Sequence, residues 1–573
     1  MEDLLACSSD HSTYCERAKA ANLGFQNNTS GVASDKDCLH RLDNDTLLQI
    51  FDKLRPQGYL RSLSVTCKWV RTSCAPTLFS ECSVKSKELS SGRSHFLPES
   101  LWYYVRTLRL NEYFLRLNAS RDWVTGLWGF PPAESREDIK MEKEALALES
   151  RAGSFLEEAL KHLPSLHTVI VDNESMMATT GPDKAGIPLP VILAILSVPQ
   201  VQCFKVSGYL YHPVDPSPAR RRLALSNLTS FIYDIPIFRM QPRTFSSEGA
   251  LLNLIIPALR LSLEKLVLPV ENAPLQKMYM EEWPSLRVLT LYGQRRTVVK
   301  PCIPYITILA RMPKLQSLNL FFANPWNIDP QAIWPQGFSM SFPWPELQQL
   351  TVTQPHAGDV LWAHLPESLR TLSLRCWPRH WEQEALRRPY RYLSPLHQAE
   401  VHWHTPLLSS SDMLHILQQC QTPFLDHLDI EYQIDNQEAA LLQHISSVFP
   451  LLKVLKISRY QHPAIMMLPL TDIVNALVPL KAICTLYLYA DELPSYFCVG
   501  KQEVASCNDL LVQDLTRNMS KTLEVIYVSF GHHLQRDWRE FKIIRALCNN
   551  TKSDIMFTVE HCADSVLGLL SVL

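Results

Sequence analysis

Three histidines within residues 397–404 have the spacing closest to that of a metal site. His402 and His404 flank Trp403, and His397 comes a few positions earlier. Residues two apart on a strand share a face, so two imidazoles at this spacing could reach one ion. A structural zinc site needs about four ligands, and the chain has no CxxC or HExxH spacing to supply the others. We therefore interpret the segment as a solvated strand face and predict no metal site.

The chain also lacks the residue spacings of other catalytic sites. It has no GxxxxGK[ST] phosphate loop, and 17 glycines in 573 residues leave little room for glycine-rich nucleotide loops. No nucleophile stands beside an evident base. The sequence therefore predicts a protein that is not an enzyme, with no catalytic residues and no cofactor.

Two basic clusters could contact an acidic partner. They are Arg220–Arg222 and the segment Arg387–Tyr392, in which two tyrosines lie among three arginines. The whole chain, however, carries 55 basic against 57 acidic side chains and a net charge of −2. Because nucleic-acid binding needs a positive field, we interpret both clusters as solvated loops and predict no nucleic-acid partner.

Tryptophans are concentrated between residues 326 and 403, many of them beside prolines. In loops that follow strands, tryptophan is a frequent anchor of protein interfaces. On this basis the sequence predicts target-binding roles for Trp326, Trp334, Trp377, Trp381 and Trp403. The alternative is that these side chains fill the core of irregular repeats.

A leucine spacing, LxxLxL, recurs along the chain and predicts how these residues are positioned. Four strong copies begin near Pro284, Pro313, Pro345 and Glu367. The weaker copies are Pro164–Val171, Ser262–Leu268, Phe424–Ile430, Leu451–Ile457, Ala482–Leu488 and Thr522–Val528. An amphipathic helix is the alternative, but β-branched residues and the preceding prolines favour a short strand with alternate residues facing a core.

Between the copies lie segments with apolar residues at helical spacing. They are Leu189–Val198, Ser409–Cys420, Leu441–Phe449 and Thr471–Leu480. Alternating strands and helices with a repeat of about 20 to 30 residues are typical of leucine-rich repeats. We therefore predict an α/β fold in which residues 83–573 form an irregular leucine-rich-repeat solenoid that binds a target protein.

Residues 38–82 differ from the repeats and predict a small helical segment. Leu47, Ile50, Phe51 and Leu54 share one helical face, with Asp43 or Asp45 as the N-cap. Further apolar residues follow up to the stretch Ala75–Leu78, which we expect to end the last helix. Three short helices in so few residues bury little surface by themselves.

This segment resembles an F-box. The matching positions are Leu42, Asp45, Ile50, Phe51, Leu54, Leu60, Leu63, Val65, Cys67, Lys68, Trp69, Pro76, Leu78 and Phe79. Two positions depart from the family pattern: Asp43 stands where the family has proline, and Phe79 where it has tryptophan. An F-box followed by degenerate leucine-rich repeats also resembles the large class of fungal F-box proteins.

The resemblance implies a substrate-recognition subunit of an SCF-type ubiquitin ligase. A Skp-type adaptor would bind the F-box and link it indirectly to a cullin, and the repeats would bind a target protein. The adaptor-binding residues implied are Leu42, Asp43, Asp45, Ile50, Phe51, Leu54, Leu60, Leu63, Val65, Cys67 and Trp69. The alternative is a repeat protein outside ubiquitin transfer, with the helices as a cap on the solenoid.

The remaining sequence features concern the cellular compartment of the protein. Residues 1–37 are polar and predict a disordered tail without a signal peptide. The 15 cysteines are scattered and predict reduced thiols. No apolar run is long enough to span a bilayer. We therefore expect a cytoplasmic or nuclear protein with no membrane partner.

Overall fold

The structure is a computed structural model, and it describes most of the chain between residues 42 and 563. The described ranges are 42–56, 58–85, 98–111, 153–172, 187–208, 210–211, 227–235, 246–294, 303–323, 331–377, 379–380, 407–461, 470–490, 512–513, 515–530, 537–545 and 555–563. The predicted disordered tail lies outside these residues.

The chain divides into two compact units, Met1–Leu78 and Phe79–Leu573. Among its described residues, the first unit contains three helices: α1 (Asn44–Leu54), α2 (Tyr59–Ser64) and α3 (Lys68–Leu78). Glu81 and Cys82, which the sequence grouped with these helices, instead lie on the first strand of the second unit.

Helix α3 ends at Leu78, within the stretch Ala75–Leu78 that the sequence predicts as its end, and Pro76 lies inside its last turn. Proline removes one backbone donor from a helix, at a cost in stability. Cys74 and Thr77, on either side of Pro76, are both buried, so packing holds the last turn in helical form.

A small apolar core holds the three helices together. Leu47 and Phe51 of α1, Leu60 of α2 and Cys74 of α3 are buried against one another. The partly buried side chains around them are Leu42, Leu54, Leu63, Trp69 and Leu78. Each helix therefore contributes to one shared core, which follows from the helical spacing of these residues.

The second unit is mixed α/β and contains a 17-stranded sheet and a separate two-stranded one among the described residues. Strands of the large sheet up to Arg375 are β1 (Glu81–Lys85), β2 (Thr107–Asn111), β3 (Thr168–Asp172), β5 (Cys203–Ser207), β7 (Ser230–Asp234), β8 (Lys265–Pro269), β9 (Val288–Gln294), β10 (Ser317–Ala323), β11 (Gln349–Thr353) and β12 (Thr371–Arg375). The later ones are β13 (Leu408–Ser409), β14 (His427–Gln433), β15 (Val454–Tyr460), β16 (Thr485–Ala490), β17 (Val525–Phe530), β18 (Asp537–Arg545) and β19 (Ile555–Ala563). The small sheet joins β4 (Ile187–Pro188) to β6 (Leu210–Tyr211).

Strands of the large sheet follow the order of the sequence. From β1 to β17 the pairings are parallel, with β13 as a short addition beside β14. Each of the ten LxxLxL segments ends in a strand of this sheet, as predicted. Equivalent leucines pair across the strands, as in Leu289 with Leu318 and Leu350 with Leu372, and these side chains are buried.

A backbone hydrogen-bond pattern repeats at the start of each strand. The carbonyl of Glu264 accepts the N–H groups of both Arg287 and Val288, at 2.8 and 2.9 Å. The carbonyl of Arg287 then accepts from Gln316 and Ser317 at the same two distances. Because one carbonyl accepts two consecutive N–H groups, neighbouring strands are held in a fixed register. The same pattern recurs from one strand to the next, from the carbonyl of Ser80 to that of Cys484.

The prolines before the leucines have a defined place in the repeat. The N–H of Leu286 bonds the carbonyl of Trp283, and that of Leu347 bonds the carbonyl of Trp344, so Pro284 and Pro345 occupy the second position of a tight turn. Proline favours this position because its φ is already fixed near the required value. The turns at Pro284 and Pro345 lie directly before β9 and β11.

Helices lie between many of the strands. The α-helices include α4 (Leu189–Leu196), α5 (Ser246–Leu259), α6 (Leu275–Met280), α7 (Tyr305–Ile308), α8 (Ser410–Gln419), α9 (Glu438–Val448) and α10 (Leu470–Leu477), and 3₁₀ helices lie at Glu99–Tyr104, Leu309–Arg311 and Val360–His364. Helix α8 packs on α9, and α9 packs on α10. The four segments predicted to be helical correspond to α4, α8, α9 and α10.

The last two strands break the parallel pattern. Strand β17 pairs antiparallel with β18, and β18 pairs antiparallel with β19. A parallel solenoid continuing to residue 573 is therefore not what the chain adopts beyond β17. Within the described residues, no helix is long and apolar enough to cross a membrane.

Candidate functional site

The N-terminus of α1 contains two of the predicted adaptor-binding residues. Asp43 is the N-cap: its Oδ1 accepts the N–H of Thr46 and its Oδ2 accepts the Thr46 hydroxyl, both at 2.8 Å. These bonds from the Thr46 backbone and side chain lower the pKa of the Asp43 carboxyl. Asp45 is exposed in the first turn, so of the two candidate caps Asp43 is the one used.

The apolar residues predicted for adaptor binding divide into three groups by exposure. Phe51 and Leu60 are each 1% exposed, so they support the helices from inside rather than form a surface. Leu42, Leu54, Leu63 and Trp69 are partly buried against this core, and Ile50 is also partly buried. Val65 and Cys67, between α2 and α3, are exposed, and Val65 is 67% exposed.

Two exposed apolar residues of the first unit were not singled out from the sequence. Leu48 lies on α1 beside the helical face that carries Leu47 and Phe51, and Tyr59 begins α2 directly after Gly58. Gly58 has a φ of 74°, a conformation that glycine adopts at little cost. We define Leu48, Tyr59 and Val65 as the exposed apolar set of the first unit. Large exposed apolar side chains are common in protein-binding surfaces.

The predicted target-binding tryptophans are placed differently from the expectation. Trp334 and Trp377 are buried in the core of the second unit, and Trp334 is only 2% exposed. The indole N–H of Trp334 donates to the carbonyl of Phe338, and the ring stacks on His364. In this structure both side chains pack against the chain itself and are not exposed as anchors for a partner. Trp326, Trp381 and Trp403 lie outside the described residues.

Position in the repeat explains another tryptophan of this region. Trp344 is buried and donates its indole N–H to the carbonyl of Leu309 at 3.0 Å. It directly precedes Pro345, as Trp283 precedes Pro284 and Phe449 precedes Pro450, and these three aromatic side chains are all buried. A large apolar residue before the proline is a core position of the repeat, and aligning the copies on proline would have found it.

The large sheet has one apolar and one more polar face. On the polar face, one residue per strand forms a lateral row: Thr290, Asn319, Thr351, Ser373, Asp429, Lys456, Tyr487 and Tyr527. The Tyr487 and Tyr527 rings stack with centroids 4.3 Å apart, and the Lys456 ammonium lies 5.4 Å from the Tyr487 ring. This end of the row therefore combines positive charge with aromatic surface.

The centre of the polar face contains a buried ionic cluster that the sequence did not reveal. Arg379 is 3% exposed, and its Nη2 lies 2.7 Å from Oδ2 of Asp429. Its Nη1 lies 3.7 Å from Oε2 of Glu431. Burial by itself would raise the pKa of Asp429, but Arg379, Lys456 and Arg375 outweigh it and hold that pKa well below its usual range.

Two further buried carboxyl groups have polar partners. Arg459 forms a two-point ion pair with Glu438, at 2.8 and 2.9 Å, and the Tyr432 hydroxyl donates to the same carboxylate. Glu248 lies between the Tyr233 hydroxyl and the Asn272 amide. Burial, with Glu271 adding repulsion, raises the pKa of Glu248 well above its usual value.

The part of the chain that the structure describes contains no candidate metal site. No group of three or more His, Cys, Asp or Glu side chains there could hold an ion. His397, His402 and His404 lie outside the described residues, as do Arg220–Arg222 and Arg387–Tyr392.

Comparison with known proteins adds no relative. No family model matches the chain, and no curated protein matches it.

Proposed function

We propose that this protein is the substrate-recognition subunit of an SCF-type ubiquitin ligase. The observation that carries the proposal is the first unit. Its three helices share a core around Phe51 and Leu60, and it leaves Leu48, Tyr59 and Val65 exposed to water. A unit with so small a core and such an exposed apolar set is suited to docking on a partner.

The F-box assignment accounts for the residue pattern of this unit. Phe51 and Leu60 form the support, while Ile50, Leu54, Leu63, Val65 and Trp69 supply the adaptor-binding surface. Asp43 stands at the position of the family's proline. It caps α1 by accepting hydrogen bonds from Thr46 with its side chain. The substitution is therefore compatible with an intact first helix.

The second unit is proposed to be a leucine-rich-repeat solenoid that binds the target. Supporting this are the parallel strands in sequence order, the helices between them and the repeated carbonyl that accepts two N–H groups. In this proposal the chain has no active site. It holds a target near the ubiquitin carrier and raises the effective concentration of the target lysine.

Co-purification with a Skp-type adaptor tests the proposal. Phe51 is a poor choice for substitution, because removing a buried ring would unfold the small core. Val65→Asp instead changes an exposed side chain and should abolish adaptor binding while the chain stays folded. Leu261→Asp is the matched control, since Leu261 is 63% exposed and belongs to the second unit.

Each outcome has a clear meaning. Binding by the unaltered chain and by Leu261→Asp, lost in Val65→Asp, is the expected result. If the unaltered chain does not bind, the proposal is wrong, and the helices act as the cap of a repeat protein outside ubiquitin transfer.

A further inference from the structure

Strand β14 presents two carboxylates on the polar face of the sheet. Asp429 and Glu431 are two residues apart, so their side chains point to the same side at a spacing of roughly 7 Å. Both are buried, at 7% and 1% exposed. Two buried carboxylates on one face need a cation near them, because unpaired charge is costly away from water.

Arg379 supplies that cation from the residues that follow β12. It approaches both carboxylates, and the Ser373 hydroxyl donates to Asp429 Oδ2 at 3.2 Å. The Tyr460 hydroxyl donates to Glu431 Oε1 at 2.9 Å. We define Ser373, Asp429, Glu431 and Tyr460 as the guanidinium pocket: the two carboxylates lie beside the Arg379 head group, and the Ser373 and Tyr460 hydroxyls donate to those carboxylates.

Main-chain groups beside Arg379 are bound by the same pocket. Glu431 Oε2 accepts the N–H of Cys376 at 3.1 Å, and Glu431 Oε1 accepts the N–H of His380 at 3.0 Å. The His380 ring contacts the Tyr460 ring edge-on, with centroids 4.8 Å apart. One carboxylate thus binds the backbone on both sides of the arginine, and backbone N–H groups are present in any peptide.

A second anchor lies two residues before Arg379. The Trp377 ring contacts Tyr292 and Phe321, with centroids 6.2 and 6.3 Å away, and the Arg375 guanidinium lies 5.0 Å from the Phe321 ring. An aromatic side chain and an arginine two positions later are therefore bound together on the polar face. The contacts are those of a bound peptide, although the residues belong to the chain itself.

We propose that the guanidinium pocket is a binding site for an arginine of a peptide and its neighbouring backbone N–H groups, and that the chain's own Arg379 occupies it as a built-in competitor. The inference rests on the proposed function only in taking the peptide to be part of a target protein. A target segment of this chemistry binds by displacing Arg379. Its apparent affinity is reduced by the fraction of molecules in which Arg379 fills the pocket.

Peptide binding to the purified full chain tests this inference without any adaptor. The probe is a fluorescent acetyl-Ser-Trp-Pro-Arg-His amide, and the control probe has lysine in place of arginine. Arg379→Ala should bind the arginine probe about tenfold or more tightly than the unaltered chain does. The lysine probe should bind less well, because an ammonium lacks the fork that reaches both carboxylates.

A second variant separates pocket binding from binding elsewhere. Asp429→Asn, added to Arg379→Ala, should remove the gain in affinity. Equal affinity of the unaltered chain and the folded Arg379→Ala variant, or no binding to that variant, would overturn the inference. Because the measurement contains no adaptor, its result is independent of whether the first unit is an F-box.

Hydrogen exchange on the unaltered chain covers the case in which Arg379→Ala fails to fold. If Arg379 can be displaced, the amides of Cys376 and His380 exchange at least about tenfold faster than that of Ile430 on β14, through local opening. Exchange of all three amides at one rate would show that Arg379 leaves the pocket only on global unfolding, and would contradict the inference.

Discussion

The carboxylate of Asp43 binds Thr46 twice, through Oδ1 to the backbone N–H and through Oδ2 to the hydroxyl. These two bonds cap α1, which begins at Asn44 directly after Asp43. The family that the first unit resembles has proline at this position. In this chain the start of α1 is stabilised by the Asp43 side chain instead.

Replacing the cap should weaken the first unit. Asp43→Ala loses both bonds to Thr46, and we expect a lower thermal midpoint of the helical unit, followed by circular dichroism. The pKa of Asp43 is lowered in the folded state, so its contribution is present above the unfolded value of 3.8 and is lost as pH falls through the folded value. Asp43→Ser, which keeps an N-cap acceptor, should retain most of the midpoint. An unchanged midpoint in Asp43→Ala would contradict the capping role.

Glu248 should make the stability of the second unit depend on pH in the opposite direction. Its pKa is raised in the folded state by burial and by Glu271, so the folded chain holds a proton that the unfolded chain has lost. Stability therefore falls as pH rises above about 4.5 toward the raised folded value. Glu248→Gln should reduce this slope in urea titrations across that range, whereas Glu367→Gln, at an exposed position, should leave it unchanged. Asp234 and Asp359, whose pKa values burial also raises, account for the slope that remains. The same slope in Glu248→Gln and in the unaltered chain would refute the assignment.

Trp344 should contribute to stability and not to target binding. Its ring fills the core before Pro345, and its N–H satisfies the Leu309 carbonyl. We expect Trp344→Ala to lower the free energy of unfolding by about 3–5 kcal/mol, measured by denaturant titration. Tyr103→Ala, at a side chain that is 72% exposed, should change it by less than about 0.5 kcal/mol. A loss of similar size in both variants would argue against the core position.

Removing one partner of the buried ion pair should be costly. Asp429→Asn leaves the buried Arg379 guanidinium with weaker compensation, and we expect a loss of about 3–5 kcal/mol in the free energy of unfolding. Arg379→Met combined with Asp429→Leu and Glu431→Gln should cost less than Asp429→Asn alone, because all three buried charges of this cluster are then removed together. If the triple variant is less stable than Asp429→Asn, the cluster is net stabilising beyond its charge balance.

Local patterns in the sequence were enough to predict ten strands of the large sheet and the helices α4, α8, α9 and α10, whereas β1, β2, β5 and β7 were not among the predicted strands. LxxLxL places alternate residues in a core, and the proline sets the turn before each strand, so both signals lie within one repeat. The antiparallel pairing of β18 and β19 carries no such signal, because none of the LxxLxL copies extends past Val528.

Contacts between distant residues could not be predicted in this way. Arg379 and Asp429 are 50 residues apart, and nothing near either residue indicates the other. The burial of Trp377 likewise depends on the chain after β12 contacting Tyr292 and Phe321. In the first unit, the helical spacing predicted which residues align on α1, but which of them face water follows from the packing of α2 and α3.

Titration of a Skp-type adaptor into the purified full-length chain, followed by calorimetry, tests the central proposal most directly. We predict saturable one-to-one binding by the unaltered chain and by Leu261→Asp, and no measurable heat with Val65→Asp under the same conditions. Absence of binding by the unaltered chain, or equal binding by Val65→Asp, would contradict the assignment of the first unit as an adaptor-binding F-box.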